Sequence, residues 1–186
     1  MGMIAAMLVL SGVAATGTAS AATPTVHSSE ARARAACAPA SAAAKSLTPP
    51  EVVPPTLLDI TADHGPCGDR VIFEVSAATT VGYQIGYERQ LLGIGSGLPI
   101  DVLGRMVLVV TISAPAYDEE GDATYVVEDP TNLVDVSGLT SVEQVVWAGS
   151  MRGESRVGIG VDRVRPFNVT VDPGRNVTRL IVEIAP

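Results

Sequence analysis

Residues 70–76 read Arg-Val-Ile-Phe-Glu-Val-Ser, and their alternation decides the fold class. Val71, Phe73 and Val75 fall on one face of an extended chain, with Arg70 and Glu74 on the other. That is the period-two pattern of a half-buried strand. Working outward, Leu57–Thr61 is the candidate strand before it, and Tyr83, Ile85 and Tyr87 repeat the spacing after it, with Gln84 and Glu88 opposite. Pro99–Leu103 and Met106–Ala114 follow, joined by a turn at Gly104. The run Met106–Ser113 (MVLVVTIS) is apolar on both faces, which predicts a central strand covered on both sides. Thr124–Val127, Val142–Ala148, Arg156–Val161, Phe167–Val171 and Leu180–Ile184 complete the series. Asp129–Ser141 is the one stretch where a short helix fits, although Gly138 argues against a long one. Roughly nine or ten strands punctuated by Gly, Pro and Asp indicate an all-β fold, an antiparallel β-sandwich or flattened barrel.

The chain begins differently. Met3–Ala15 is an uncharged apolar run, followed by small residues and the small-x-small box Ala19-Ser20-Ala21. A bilayer span needs about 20 apolar residues, so the run is short for an anchor. Residues 1–22 read as a signal peptide, cut near Ala21 or Ala22, although no Lys or Arg precedes the run. The expected location is therefore secreted or extracytoplasmic, with no membrane attachment after cleavage. Residues 23–55 are rich in Ala, Ser, Thr and Pro, and Pro39 interrupts the only stretch that might be drawn as a helix. Pro49-Pro50 and Pro54-Pro55 impose extended geometry, so this segment is expected to be a flexible, disordered tether. Residues 56–186 form the expected domain.

Charge narrows the partners. The formal net charge is −8. Residues 23–55 hold three basic and two acidic side chains, so the domain carries the whole acidic excess. An acidic domain repels polyphosphate, which excludes nucleic acid, and anionic lipid for the same reason. A neutral glycan, a cationic group or another protein is left. The two cysteines, Cys37 and Cys67, are an even count in an oxidising compartment. They suggest a bridge from the tether to the start of the domain, which the sequence alone leaves open. Without His neighbours at ligand spacing they make a poor zinc site.

The order of segments resembles the AMIN-like domain of secreted actinobacterial proteins. The pieces are His64, Asp69-Arg70-Val71-Ile72-Phe73-Glu74, Gly82-Tyr83-Gln84-Ile85-Gly86-Tyr87, Gly95-Ser96-Gly97-Leu98-Pro99 and Pro166-Phe167-Asn168-Val169. Thr178–Ile184 matches the family's last strand. The resemblance runs from Thr56 to the C-terminus and implies a β-sandwich of the AMIN type. Related domains sit beside cell-wall amidases and secretins and help place them in the envelope by binding peptidoglycan. The resemblance brings no catalytic residues with it. Cys67-Gly68 stands where an aromatic neighbour of Asp69 is expected, and Asn176-Val177 adds length before the last strand.

Individual constellations are weaker. His64 and Cys67 form a conceivable Cys/His pair, but a loop histidine beside a bridged cysteine accounts for them better. Asp118, Glu119, Glu120 and Asp122 surround Gly121, yet their spacing is not that of a calcium loop, and a solvated hairpin tip suits them better. Arg163 and Arg165 point the same way on an extended segment and would fork a carboxylate. With Tyr83 and Tyr87 as stacking platforms they are the candidate binding surface; the alternative pairs Arg163 with a neighbouring acid and half-buries the tyrosines. Gly158 and Gly160 permit close packing or a bulge, and Trp147 reads as core. The expectation is an exported non-enzymatic envelope module, without metal or cofactor, that binds cell-wall polymer or a wall-associated protein. The alternative is a protein–protein accessory or inhibitor module that docks by a strand edge.

Overall fold

A computed structural model describes residues 37–48, 53–76, 78 and 80–186. The expected signal peptide and residues 23–36 and 49–52 of the expected tether lie outside the described residues. The strands are β1 (Lys45–Leu47), β2 (Leu57–Gly65), β3 (Gly68–Ser76), β4 (Tyr83–Glu88), β5 (Leu91–Leu92), β6 (Pro99–Ile100), β7 (Met106–Ile112), β8 (Val142–Met151), β9 (Glu154–Val161), β10 (Phe167–Pro173) and β11 (Val177–Ile184). They form a five-stranded sheet ordered β1-β4-β7-β9-β8, a four-stranded sheet ordered β10-β11-β3-β2, and the small hairpin β5-β6. Every pairing is antiparallel. The domain is an antiparallel β-sandwich.

Its core follows from the alternation. Val71, Phe73 and Val75 of β3 face inward beside Leu180 and Val182 of β11, and Leu180 sits opposite Phe73 in the ladder. Across the gap, Ile85, Leu108, Val110, Ile112, Val157 and Ile159 complete the same cluster. On the solvent face of the four-stranded sheet, Arg70 forks the Asp63 carboxylate of β2, and Arg179 of β11 pairs with Glu74 at 2.8 Å.

β7 is covered on both sides. Leu108 and Val110 enter the sandwich core, while Val107 and Val109 form a second cluster with Leu91, Val146 and Ala148. The segment from β5 to Leu103 lies over this outer face. Gly158 and Gly160 make room for it: a Cβ at 158 would meet Leu91 at 2.7 Å, and one at 160 would meet the Leu103 carbonyl oxygen at 1.9 Å.

Three stretches depart from the sequence expectation. Thr124–Val127 is not a strand; only the isolated bridge Tyr117–Ala123 closes the acidic turn, and the Thr124 hydroxyl donates to the Leu57 carbonyl. Asp129–Ser141 is not helical. Asp129 accepts from the Thr131 amide and hydroxyl, Asp135 accepts from the Ser137 amide, and the Pro130 carbonyl accepts from Trp147. Side chains that satisfy the backbone locally compete with helix formation. Leu133, Val136 and Leu139 still pack on the core, so the loop closes one side of the sandwich.

The third departure lies within the expected tether. Residues 45–47 pair with β4, Lys45 opposite Ile85 and Leu47 opposite Tyr83. Ser41 bridges Phe167 of β10, donating at 3.4 Å and accepting at 3.1 Å. Cys37 and Cys67 are joined by a disulfide with Cα atoms 5.7 Å apart. Composition missed this order because the segment has no apolar stripe; edge pairing and a covalent tie hold it instead. Closing a loop across a separation of 30 residues removes unfolded-state entropy worth roughly 3–4 kcal/mol.

Gly160→Ala should cost about 1–3 kcal/mol in urea unfolding, because the Leu103 backbone must shift to admit the methyl. Gly138→Ala, whose added Cβ has no neighbour within 4 Å, should lie within about 0.5 kcal/mol of the parent chain.

Candidate functional site

The outer face of the five-stranded sheet has two halves. Where β5-β6 covers it, the face is apolar. Beyond the hairpin the row changes character: Ser46, Gln84, Thr111 and Arg156 stand in register across β1, β4, β7 and β9. Arg156 marks the border, its Nε donating to Thr111 Oγ1 at 3.2 Å and one terminal nitrogen to the Leu92 carbonyl at 3.4 Å. This uncovered end is a shallow groove of about 310 Å³. Ser46, Leu47 and Thr48 form one wall, Tyr83, Gln84, Thr111 and Ser113 the floor, and Glu154 the far side. The groove therefore brings together hydroxyls, a primary amide and a carboxylate, and Tyr83, whose side chain has the inward parity of Ile85 and packs on the core, lines it from β4. Such a set offers hydrogen-bond donors and acceptors along a shallow, mainly polar surface.

Tyr83 is the only one of the four sequence-predicted binding residues in this groove. Tyr87, four residues further along β4 on the same inner-facing side, packs edge-on against Phe167 with centroids 5.9 Å apart. Its hydroxyl donates to the Arg165 carbonyl at 2.9 Å and accepts from the Arg165 amide at 3.0 Å. Burial pushes the Tyr87 phenol up, against the opposing influence of Arg165. Arg163 and Arg165 converge on a carboxylate of the chain itself. Arg165 Nε donates to Asp162 Oδ1 at 2.8 Å and Arg163 to Asp162 Oδ2 at 2.6 Å. The hydrogen bond from Arg165, with Arg163 assisting, holds the Asp162 carboxyl below the usual range. The Arg165 side chain is only 7% exposed, whereas that of Arg163 is 62% exposed.

Residues 55–186 match the AMIN-like domain family. The chain belongs to that family. No curated protein and no solved structure matches it. The strand β1 and Cys37 precede the matched region, so one wall of the groove comes from outside the AMIN-like domain proper.

The domain's most constrained polar group is one that motif reading passed over. Asp69, at the start of β3, is fully buried. Its Oδ2 accepts from the amides of Thr140, at 2.8 Å, Ser141 and Val142, at 3.3 Å. Its Oδ1 accepts from His64 Nδ1 at 2.8 Å. Burial pushes the carboxyl up, but the hydrogen bonds from His64, Ser141, Thr140 and Val142 outweigh it and hold the group below its ordinary value. The signal for it was the strand alternation: Asp69 shares the inward parity of Val71, Phe73 and Val75. His64, with a side chain 57% exposed, orients on this carboxylate, and Cys67 is committed to the disulfide. The cluster Asp118–Asp122 is a solvent-facing turn in which Asp118 Oδ1 accepts from the Asp122 amide at 2.8 Å. Among the described residues no group of His, Cys, Asp or Glu is placed to hold a metal ion.

Asp69→Ala would orphan three amides, those of Ser141 and Val142 buried, and should cost about 3–5 kcal/mol in denaturant unfolding. Asp69→Asn, which keeps an acceptor oxygen, should cost less. The lowered folded value gives the pH dependence its sign. The carboxylate's stabilisation is fully present above its unfolded value of about 3.9 and disappears as pH falls through the lower folded value. Unfolding free energy measured from pH 6 down should therefore fall below about pH 4 in the parent chain and more gently in Asp69→Asn.

Proposed function

We propose that this chain is an exported, non-enzymatic cell-envelope module that holds peptidoglycan in the groove at the open end of the five-stranded sheet. AMIN-like membership suggests a cell-envelope module, often a peptidoglycan-related one. The observation that carries the finer reading is the groove's cross-strand row, in which the exposed Ser46 and Gln84 flank the largely buried Thr111, with Tyr83 among the lining residues. The hydroxyl and N-acetyl groups of a glycan take up amide and hydroxyl partners of this kind. Glu154 adds a carboxylate at the rim, suited to the ammonium group of a stem-peptide diamino acid. The acidic surface suits a neutral glycan or a cationic group rather than a polyanion. Arg163 is exposed but already paired, and Arg165 is buried, so neither is placed in the groove.

Docking by a strand edge is the alternative. The β4 edge, the one nearest the groove, is already occupied by β1 over Tyr83–Ile85, which favours the groove reading over that edge.

Purified chain should co-sediment saturably with isolated peptidoglycan sacculi and not with a neutral polysaccharide such as dextran. Gln84→Ala and Tyr83→Ala should each weaken binding by roughly tenfold, equivalent to about 1.4 kcal/mol, while Tyr83→Phe retains most of it. Binding unchanged in both alanine variants would place the ligand elsewhere. No co-sedimentation at low or moderate salt would remove the peptidoglycan reading.

A further inference from the structure

Residues 37–48 form a strap across the side of the sandwich where β4 of one sheet and β10 of the other leave their edges. The strap touches both: Ser41 bridges Phe167 of β10, and Lys45–Leu47 pair with β4. Asn168 Nδ2 donates to the Ala38 carbonyl at 2.9 Å. The Lys45 ammonium lies 4.0 Å from the centre of the Phe167 ring and also donates to the Ser41 carbonyl at 3.0 Å. Ser46, Leu47 and Thr48 then become the groove wall.

The non-covalent hold is slight. Among residues 37–48 only Cys37 and Lys45 are even partly buried; the other side chains are exposed. A three-residue ladder and exposed contacts do not offset the entropy of ordering a twelve-residue segment. The disulfide changes that balance by fixing the far end of the strap to the β2–β3 turn, so the strap is held at both ends and has less conformational freedom to lose on docking. Cys37 and Cys67 are both partly exposed residues, and exchange of a disulfide depends on such access.

We propose that the Cys37–Cys67 disulfide is a latch that keeps the groove assembled, so that thiol–disulfide exchange controls ligand binding. This rests on the reading of the groove as the ligand site. The reductant is a dithiol. One of its thiolates attacks Cys37 or Cys67 Sγ, the S–S bond breaks, and a mixed disulfide forms with release of the other cysteine thiolate. The second thiol of the reductant resolves it, leaving both cysteines as thiols and the reductant as its disulfide, a two-electron transfer. The strap then leaves β4, and the groove loses Ser46, Leu47 and Thr48 together. Reoxidation restores the wall.

The sequence supplies a single-site probe, because Lys45 is its only lysine and lies within β1. A lysine-specific endoproteinase can cut the chain only after Lys45. Full chain with the disulfide closed is compared with chain reduced by dithiothreitol and alkylated, cleavage being followed by intact mass and sacculus binding by sedimentation. Circular dichroism of the alkylated chain, and of a Cys37→Ser/Cys67→Ser variant, checks that the sandwich persists. Opening the latch should speed cleavage after Lys45 by on the order of tenfold or more and lower sacculus affinity by at least the loss seen with Gln84→Ala. Equal cleavage rates in the two states with the sandwich intact overturn the latch. Faster cleavage with undiminished sacculus binding overturns its control of the groove. A closed chain that never binds sacculi refutes the peptidoglycan reading instead, and faster cleavage on opening would then still establish the latch. Loss of the sandwich on alkylation and in the double variant would make the bridge a general structural staple and overturn its role as a local latch.

Discussion

One buried carboxylate ties the two sheets together. Asp69 belongs to the four-stranded sheet, and the three amides it accepts from lie at the start of β8 in the five-stranded sheet. Those amides end an irregular stretch in which the backbone spends its hydrogen bonds on scattered side chains and on β8 itself. Without a fixed acceptor, the chain would start β8 with unpaired buried donors. β8 also departs from regular register between Val142 and Gln144 and between Trp147 and Gly149. Its starting point therefore has to be set by something other than its ladder, and the carboxylate does this. His64 completes the shell of acceptor bonds from the solvent side.

A second constraint divides the outer face of the five-stranded sheet. Glycines at 158 and 160 let the 91–103 segment approach the backbone of β9, and Val107 and Val109 are buried beneath it. The cover ends where the sheet residues turn from Val and Gly to Thr and Arg. The groove is what remains, so its place is decided by two missing side chains as much as by the polar residues that line it.

Much of this was legible. The alternation at 70–76 and the doubly apolar run at 106–113 gave the sandwich and its central covered strand, and the glycine pair at 158 and 160 was correctly read as a packing device. The irregular loops were not, because Asp129, Thr131 and Asp135 hold backbone shapes that periodicity does not describe. Of the candidate site, Tyr83 was legible as one of the alternating aromatics of a strand. Arg165 was not, since nothing in a linear pattern reveals that Asp162, three residues away, captures it and that Tyr87 clamps its backbone. The groove wall was hidden most completely. Lys45–Leu47 has no strand-like pattern of its own and becomes a strand only because β4 offers an edge and Cys37 is tied down.

The disulfide also sets how the molecule carries load. Tension entering the chain from the N-terminal side of Cys37 crosses the S–S bond to Cys67 and continues directly into β3, held between β2 and β11. The covalent path through residues 38–66 is bypassed. The strap lies off the loaded path, and the shortest ladder of the two large sheets, three residues of β1 on β4, is shielded from strain applied through the segment that precedes it.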